Sequence, residues 1–99
     1  MLSIQKTIEQ EKATFKLEGR LDTITAPELE SKLRSALEGV TDLTLDFEKL
    51  DYISSAGLRV LLATQKQMNK QGTMRVCHVN ETIMEIFDIT GFTDILTIE

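Results

Sequence analysis

The sequence has 99 residues with one cysteine, one proline and no tryptophan, and aromatic residues make up only 5% of it. A single cysteine cannot form an internal disulfide, which is typical of proteins in the reducing cytoplasm. No stretch approaches the roughly 20 apolar residues of a membrane span, and the start MLSIQKTIEQ lacks the apolar core of a signal peptide. We therefore expect a cytoplasmic protein whose core is packed mainly by aliphatic side chains.

Positive charge is also scarce. Eleven Lys and Arg residues against sixteen Asp and Glu residues give a net charge of −5. A surface of that sign repels phosphate backbones and anionic lipid headgroups, so neither nucleic acid nor a membrane is an expected partner. Apolar residues make up 41% of the chain and are spread evenly, and the length suits one core but not two. We expect a single domain over residues 1–99.

The motifs of common catalytic and cofactor sites are missing as well. The sequence contains no GxxxxGK[ST] loop, no GxGxxG turn and no GxSxG elbow. Cys77 and His78 fall in a predicted strand, without the CxxC pair or clustered histidines of a metal site, and are interpreted as packing or surface residues. The sequence therefore predicts no catalytic residue, no cofactor and no metal ion.

What the sequence does contain is a succession of strand and helix patterns. Apolar and polar residues alternate near residues 2–8, 13–17, 43–47 and 74–79, which predicts four strands, the first two joined as a hairpin. The third strand is predicted over Leu43–Phe47 and is followed by a loop to Ser55.

Three helices are expected between and after these strands. Thr25 and Glu28 form a capping-box pattern at the start of a helix that Gly39 ends. A second helix is predicted over about Ala56–Lys70, and a third runs from a cap at Asn80 to Gly91. The last segment, with apolar residues at 95, 96 and 98, fits either a terminal strand or a short helix.

The order β-β-α-β-α-β-α predicts an α/β fold. We expect a mixed, mainly parallel β-sheet that is opened by an N-terminal β-hairpin and covered by helices through right-handed crossovers.

The segment Tyr52–Leu58 is the most unusual part of the sequence, because it joins the third strand to the second helix at the carboxyl end of a parallel strand. Partners usually contact α/β sheets at that edge. Ser55 falls at the predicted N-cap position, although either the Ser54 or the Ser55 hydroxyl could be the cap. Gly57, without a side chain, is expected to leave the helix end open to a neighbouring molecule. A phosphate on Ser55 would be tolerated by the positive end of the helix dipole, yet it would add about −1.5 to −2 charges to a contact surface. The simpler alternative is that Ser55 only caps the helix.

Taken together, these patterns resemble those of the STAS domain (sulfate transporter and anti-sigma factor antagonist), in its stand-alone bacterial anti-sigma factor antagonist form. The resemblance covers essentially the whole chain. It depends on four stretches, which are GRLD at 19–22, LTLDF at 43–47, YISSAGLRVLL at 52–62 and IFDITGF at 86–92.

The resemblance implies a phosphorylation-controlled partner switch. Ser55 stands at the position of the family's phosphorylated serine, which an anti-sigma factor serine/threonine kinase modifies and a serine phosphatase restores. Ser54 stands where many members have an aspartate and is the second choice of acceptor. The residues expected to contact a partner are Asp22, Thr23, Ser54, Ser55, Ala56, Gly57, Leu58 and Arg59.

Other interpretations remain open for the function and for two of these residues. A STAS subunit of this kind could regulate a non-sigma target, such as a transporter or a secretion system. An enzyme using Ser54 or Ser55 as nucleophile would need a base motif and an oxyanion loop, and the sequence has neither in recognisable form. Asp22 could simply cap a turn, and Arg59 could lie on a solvated helix face.

Overall fold

The computed structural model describes residues 2–99, which form one four-stranded sheet and three α-helices. The strands are β1 (Leu2–Glu9), β2 (Lys12–Leu21), β3 (Asp42–Ile53) and β4 (Thr73–Cys77), and the helices are α1 (Ala26–Ala36), α2 (Ser55–Gln71) and α3 (Glu81–Thr90). The strand order is β1-β2-β3-β4, with β1 antiparallel to β2 and the other neighbours parallel. The predicted topology, including the opening hairpin, is confirmed.

The core lies between the helices and one face of the sheet. Every second residue is buried along β2 as far as Leu17 and along the first half of β3. Phe15, Leu45 and Phe47 are among them and have no measurable exposure. Phe87 of α3 packs with its ring centroid 6.4 Å from that of Phe47. The opposite face of the sheet carries polar side chains that are exposed or half-buried. Over residues 2–99, no helix is long and apolar enough to cross a membrane.

Strand β3 is longer than the predicted Leu43–Phe47, and it continues to Ile53. Its pairing with β2 shifts register twice, once between Lys16 and Glu18 and once between Gly19 and Arg20. Each shift inserts an extra residue into β3, so the buried positions beyond Phe47 are spaced by three instead of two. The prediction that residues 51–53 form a loop is therefore wrong, because the alternation that marks a strand is interrupted by bulges.

One predicted capping interaction and one predicted helix end differ from those in the structure, although α1 starts directly after Thr25 as expected. Helix α1 begins at Ala26, but the Thr25 side chain makes no capping hydrogen bond, so the expected capping box does not form. The helix ends at Ala36, before Gly39. The boundaries of α3 are confirmed, since Asn80 accepts a hydrogen bond from the Ile83 N–H at 2.8 Å and Gly91 ends the helix.

The fourth strand ends earlier than its sequence pattern suggests. It stops at Cys77, which is half-buried, and His78 is exposed and outside the strand. The terminal segment combines both alternatives, because residues 92–94 form a short 3-10 helix and Ile98 then makes a parallel bridge to Val76.

Candidate functional site

Helix α2 follows β3 with a single residue, Ser54, between them. Ser54 has an extended backbone, and its hydroxyl oxygen accepts a hydrogen bond from the Gly57 N–H at 3.5 Å. The prediction that Ser55 caps the helix is wrong, because the cap position belongs to the last extended residue, which is Ser54. Ser55 is the first helical residue and is exposed. Its hydroxyl is therefore not needed to cap the helix.

The start of α2 is packed tightly against the ends of β2 and β3. A Cβ atom at Gly57 would lie 2.8 Å from both Ile53 Cγ1 and Leu21 Cγ, closer than carbon atoms normally approach. Gly57 and Leu58 are both buried. The expectation that Gly57 leaves the helix end open is wrong, since this glycine instead allows the first turn of the helix to pack onto the sheet.

Asp22 begins the turn between β2 and α1. Its Oδ1 atom accepts hydrogen bonds from the backbone N–H groups of Ile24 and Thr25, both at 3.0 Å. The Thr25 N–H, together with the Thr25 hydroxyl, the Ile24 N–H and the Arg20 charge, holds the pKa of Asp22 below its usual value. The carboxylate is therefore negatively charged at neutral pH, and it stabilises the turn.

A backbone hydrogen bond brings this turn beside the start of α2. The Ser54 N–H donates to the Leu21 carbonyl at 2.8 Å, so the last residues of β2 and β3 are joined side by side. The predicted Asp22 and Ser55 are thus brought to the same edge of the sheet, where the carboxyl ends of β2 and β3 meet.

Two features of this edge were missed by the sequence analysis. Ile24 is 86% exposed, although it lies between two residues that form the turn. The Arg20 guanidinium lies 4.5 Å from the centroid of the Tyr52 ring, which holds it by a cation–π contact. Ile24 lies outside every predicted strand and helix, and an apolar residue in such a position is a signal that the sequence offers. The Arg20–Tyr52 pair offers no such signal, because it depends on the strand register that the bulges in β3 alter.

The exposed side chains of this edge form a mixed apolar and charged surface. Arg59 follows Ser55 by one helical turn and lies on the same side of α2. Two shallow depressions, of about 150 and 80 Å³, lie elsewhere on the molecule. The edge therefore suits a protein partner better than a small molecule. We call it the Ser55 surface, and its residues are Arg20, Asp22, Thr23, Ile24, Ser55 and Arg59.

Comparisons with known proteins agree with this architecture. The anti-sigma-B factor antagonist of Bacillus subtilis is 36% identical over 81 residues, which cover 81% of this chain and 74% of that protein. An anti-sigma factor antagonist from Mycobacterium paratuberculosis has a crystal structure that superposes with a TM-score of 0.89 at 19% identity, covering 99% of this chain and 85% of that one.

A second solved structure shows the same fold. The Bacillus cell fate determinant SpoIIAA, in its phosphorylated form, superposes with a TM-score of 0.77 at 20% identity, covering 98% of this chain and 91% of that one. The family model for the STAS domain matches residues 3–99. The chain therefore belongs to the STAS domain family.

Proposed function

We propose that this protein is an anti-sigma factor antagonist that works in the cytoplasm by partner switching. Its unmodified form binds an anti-sigma factor serine kinase and thereby releases the sigma factor. The kinase then transfers phosphate from ATP to Ser55, the complex dissociates, and a serine phosphatase restores the binding form.

The observation that carries this proposal is the difference between Ser54 and Ser55 in position and exposure. Ser54 caps α2 and is half-buried, whereas Ser55 is exposed and outside the cap position. A kinase can therefore reach the Ser55 hydroxyl without breaking the start of the helix. This favours Ser55 over Ser54 as the acceptor.

The surroundings of Ser55 would tolerate a phosphate on the folded protein. The first turn of α2 carries no acidic residue, so the positive end of the helix dipole is not neutralised by a side chain. Arg59, four residues after Ser55, is exposed and could pair with the phosphate. The modified protein would stay folded.

A docked partner would respond differently. The Ser55 surface already contains the charged Asp22, and a phosphate would add about −1.5 to −2 charges beside it. A partner surface that buries Ile24 and complements Asp22 would have to desolvate this extra charge, which is unfavourable without a matching cation. Phosphorylation would therefore weaken binding by disturbing the interface, with the fold of this protein left intact.

Ser55 would act as a substrate in this scheme. The Asp22 carboxylate already accepts hydrogen bonds from the backbone of its turn. The Nδ1 atom of the single histidine, His78, lies 3.0 Å from Asp46 Oδ1. The general base for phosphate transfer would therefore have to come from the kinase. The proposed role is that of a regulatory binding protein rather than an enzyme.

The proposal is tested with purified anti-sigma factor kinases of the source organism, ATP and magnesium. We expect mass spectrometry to find phosphate on Ser55 in the wild type and in Ser54→Ala, the matched control, and no phosphate in Ser55→Ala. By calorimetry, Ser55→Ala should bind the kinase as the wild type does, and Ser55→Asp at least about tenfold more weakly, a difference of about 1.4 kcal/mol. Equal affinities of the two Ser55 variants, or phosphate on another residue, would overturn it.

A further inference from the structure

Three different metal-binding side chains meet on the polar face of the sheet, away from the Ser55 surface. Asp46 of β3 and Cys77 of β4 are register partners, so their side chains lie next to each other on one face. His78 follows Cys77 directly, and in a regular strand it would point to the opposite face. Its φ of 57° instead turns the backbone, and its Nδ1 atom lies 3.0 Å from Asp46 Oδ1.

The geometry of these donors is close to that of a tetrahedral metal site. One carboxylate oxygen, one sulfur and one imidazole nitrogen lie within 4.8 Å of one another. Typical Zn–O, Zn–N and Zn–S lengths place tetrahedral ligands about 3.3 to 3.6 Å apart. Metal binding would therefore replace the hydrogen bond between Asp46 and His78 and move the three donor atoms to these spacings, while Asp46 Oδ1 also accepts a hydrogen bond from the Glu48 N–H at 2.9 Å.

The charge around the cluster also favours a cation. Asp46, Glu48 and Glu99 place negative charge near the Cys77 sulfur. These charges attract a divalent cation, which would stabilise the thiolate on binding. Two cations lie near the cluster. Arg75 is paired with Asp42 through two hydrogen bonds of 2.8 and 2.9 Å, and Lys16, the register partner of Asp46 on β2, is the positive charge that a bound metal ion would have to tolerate.

We propose that Asp46, Cys77 and His78 bind Zn²⁺, with water in the fourth position. Mixed sulfur, nitrogen and oxygen donors suit this ion. On binding, a Zn–S bond forms and the thiol proton passes to the buffer. The ion would join β3 to the turn between β4 and α3. The proposed zinc site shares no residue with the Ser55 surface, so this proposal does not depend on whether Ser55 is phosphorylated.

The first test is a Co²⁺ titration of the reduced full-length protein, followed by competition with Zn²⁺. One equivalent of Co²⁺ should produce the visible bands of a tetrahedral site and a thiolate-to-cobalt charge-transfer band, and Zn²⁺ should remove both. Cys77→Ser should lose the charge-transfer band, and Asp46→Asn and His78→Asn should each bind at least about tenfold more weakly. Asp51→Asn, an exposed residue of β3 outside the cluster, is the matched control and should titrate as the wild type does.

A second measurement needs only the native protein, so it holds even if a variant fails to fold. Zn²⁺ should slow the reaction of Cys77 with a thiol reagent at least about tenfold, because a metal-bound thiolate is shielded from attack. An unchanged reaction rate, or equal Co²⁺ binding by the wild type and all three cluster variants, would overturn the proposal and leave Asp46–His78 as an ordinary ion pair.

Discussion

The two ends of helix α2 are held in very different ways. At its C-terminal end, the Gln71 side chain donates hydrogen bonds to the carbonyl oxygens of Leu37 and Val40 at 2.7 and 2.6 Å. The next residue, Gly72, touches the backbone of Thr41 so closely that a Cβ atom would lie 1.9 Å from the Thr41 carbonyl oxygen. At the N-terminal end, Gly57 packs against side chains, and Ser55 is exposed.

Within one helix, the C-terminal end is anchored and the first residue is exposed. The C-terminal end contacts backbone atoms, which cannot move aside, and it fixes the helix on the sheet. At the N-terminal end, the Ser54 N–H bonds to the Leu21 carbonyl just before the helix, the first turn packs on side chains, and Ser55 is exposed. A chemical change at Ser55 can therefore alter the surface of the protein with little effect on its stability.

The largest effect on stability is expected at the anchored end. Gly72→Ala would force a methyl group against the Thr41 backbone, and we expect it to lower the free energy of unfolding by about 3 kcal/mol or more. Gly91→Ala is the matched control, since Gly91 also ends a helix but has open space around it. Its left-handed φ of 80° should cost only about 1–2 kcal/mol. Urea unfolding of both variants measures the difference, and equal losses would contradict the steric account.

A smaller loss is expected for Gly57→Ala. The new methyl group would press on Ile53 and Leu21, which can shift slightly because they are side chains. We expect a cost of about 1–3 kcal/mol for this crowding, partly offset by up to about 1 kcal/mol from the better helix propensity of alanine. Ala56→Gly, one residue earlier, lacks the crowding and reports the propensity difference together with the loss of one half-buried methyl group. Thermal unfolding of the pair checks this, and a Gly57→Ala protein more stable than the wild type would show that the first turn is not tightly packed.

The smallest effect is expected at Ser55 itself. Ser55→Asp adds negative charge at the positive end of the helix, so the free energy of unfolding should stay within about 0.5 kcal/mol of the wild type or rise slightly. Ser54→Asp, at the capping position, should also be tolerated, because aspartate is a good N-cap. Urea unfolding at neutral pH is the measurement. If Ser55→Asp lowered the free energy of unfolding by more than about 2 kcal/mol, the N-terminal end of α2 would also be needed for stability, and the two ends would not differ as described.

The sequence predicted the fold well wherever a regular period extends through a whole element. The hairpin, the element order, the extent of α2 and both ends of α3 are examples, and each depends on local pattern or on a cap with its own hydrogen bond. The second half of β3 could not be predicted, because two bulges replace the period of two with spacings of three. Likewise, the left-handed backbone at His78 depends on contacts across the sheet to Asp46, which a single strand pattern does not contain.

The candidate site was predicted in part. The sequence placed Ser54 and Ser55 at the carboxyl end of a parallel strand, and the structure places them there. The sequence did not show which of the two serines caps the helix. The cap follows the last residue of β3, and the bulges in β3 hide where that strand ends. The exposed Ile24 and the Arg20–Tyr52 contact follow from tertiary geometry. The partner contacts stay predictions for all eight residues to which they were assigned, which are Asp22, Thr23, Ser54, Ser55, Ala56, Gly57, Leu58 and Arg59.

The single-residue connection between β3 and α2 has a consequence for how an enzyme could recognise this serine. With Ser54 bonded on one side to Leu21 and on the other to Gly57, the backbone at Ser55 cannot stretch into an enzyme cleft as a loose peptide would. A kinase that phosphorylated Ser55 would have to bind this residue in its folded conformation and match the neighbouring turn as well. Little chain entropy is then lost on docking, and a short peptide copied from residues 50–60 should be a poor substitute for the intact domain.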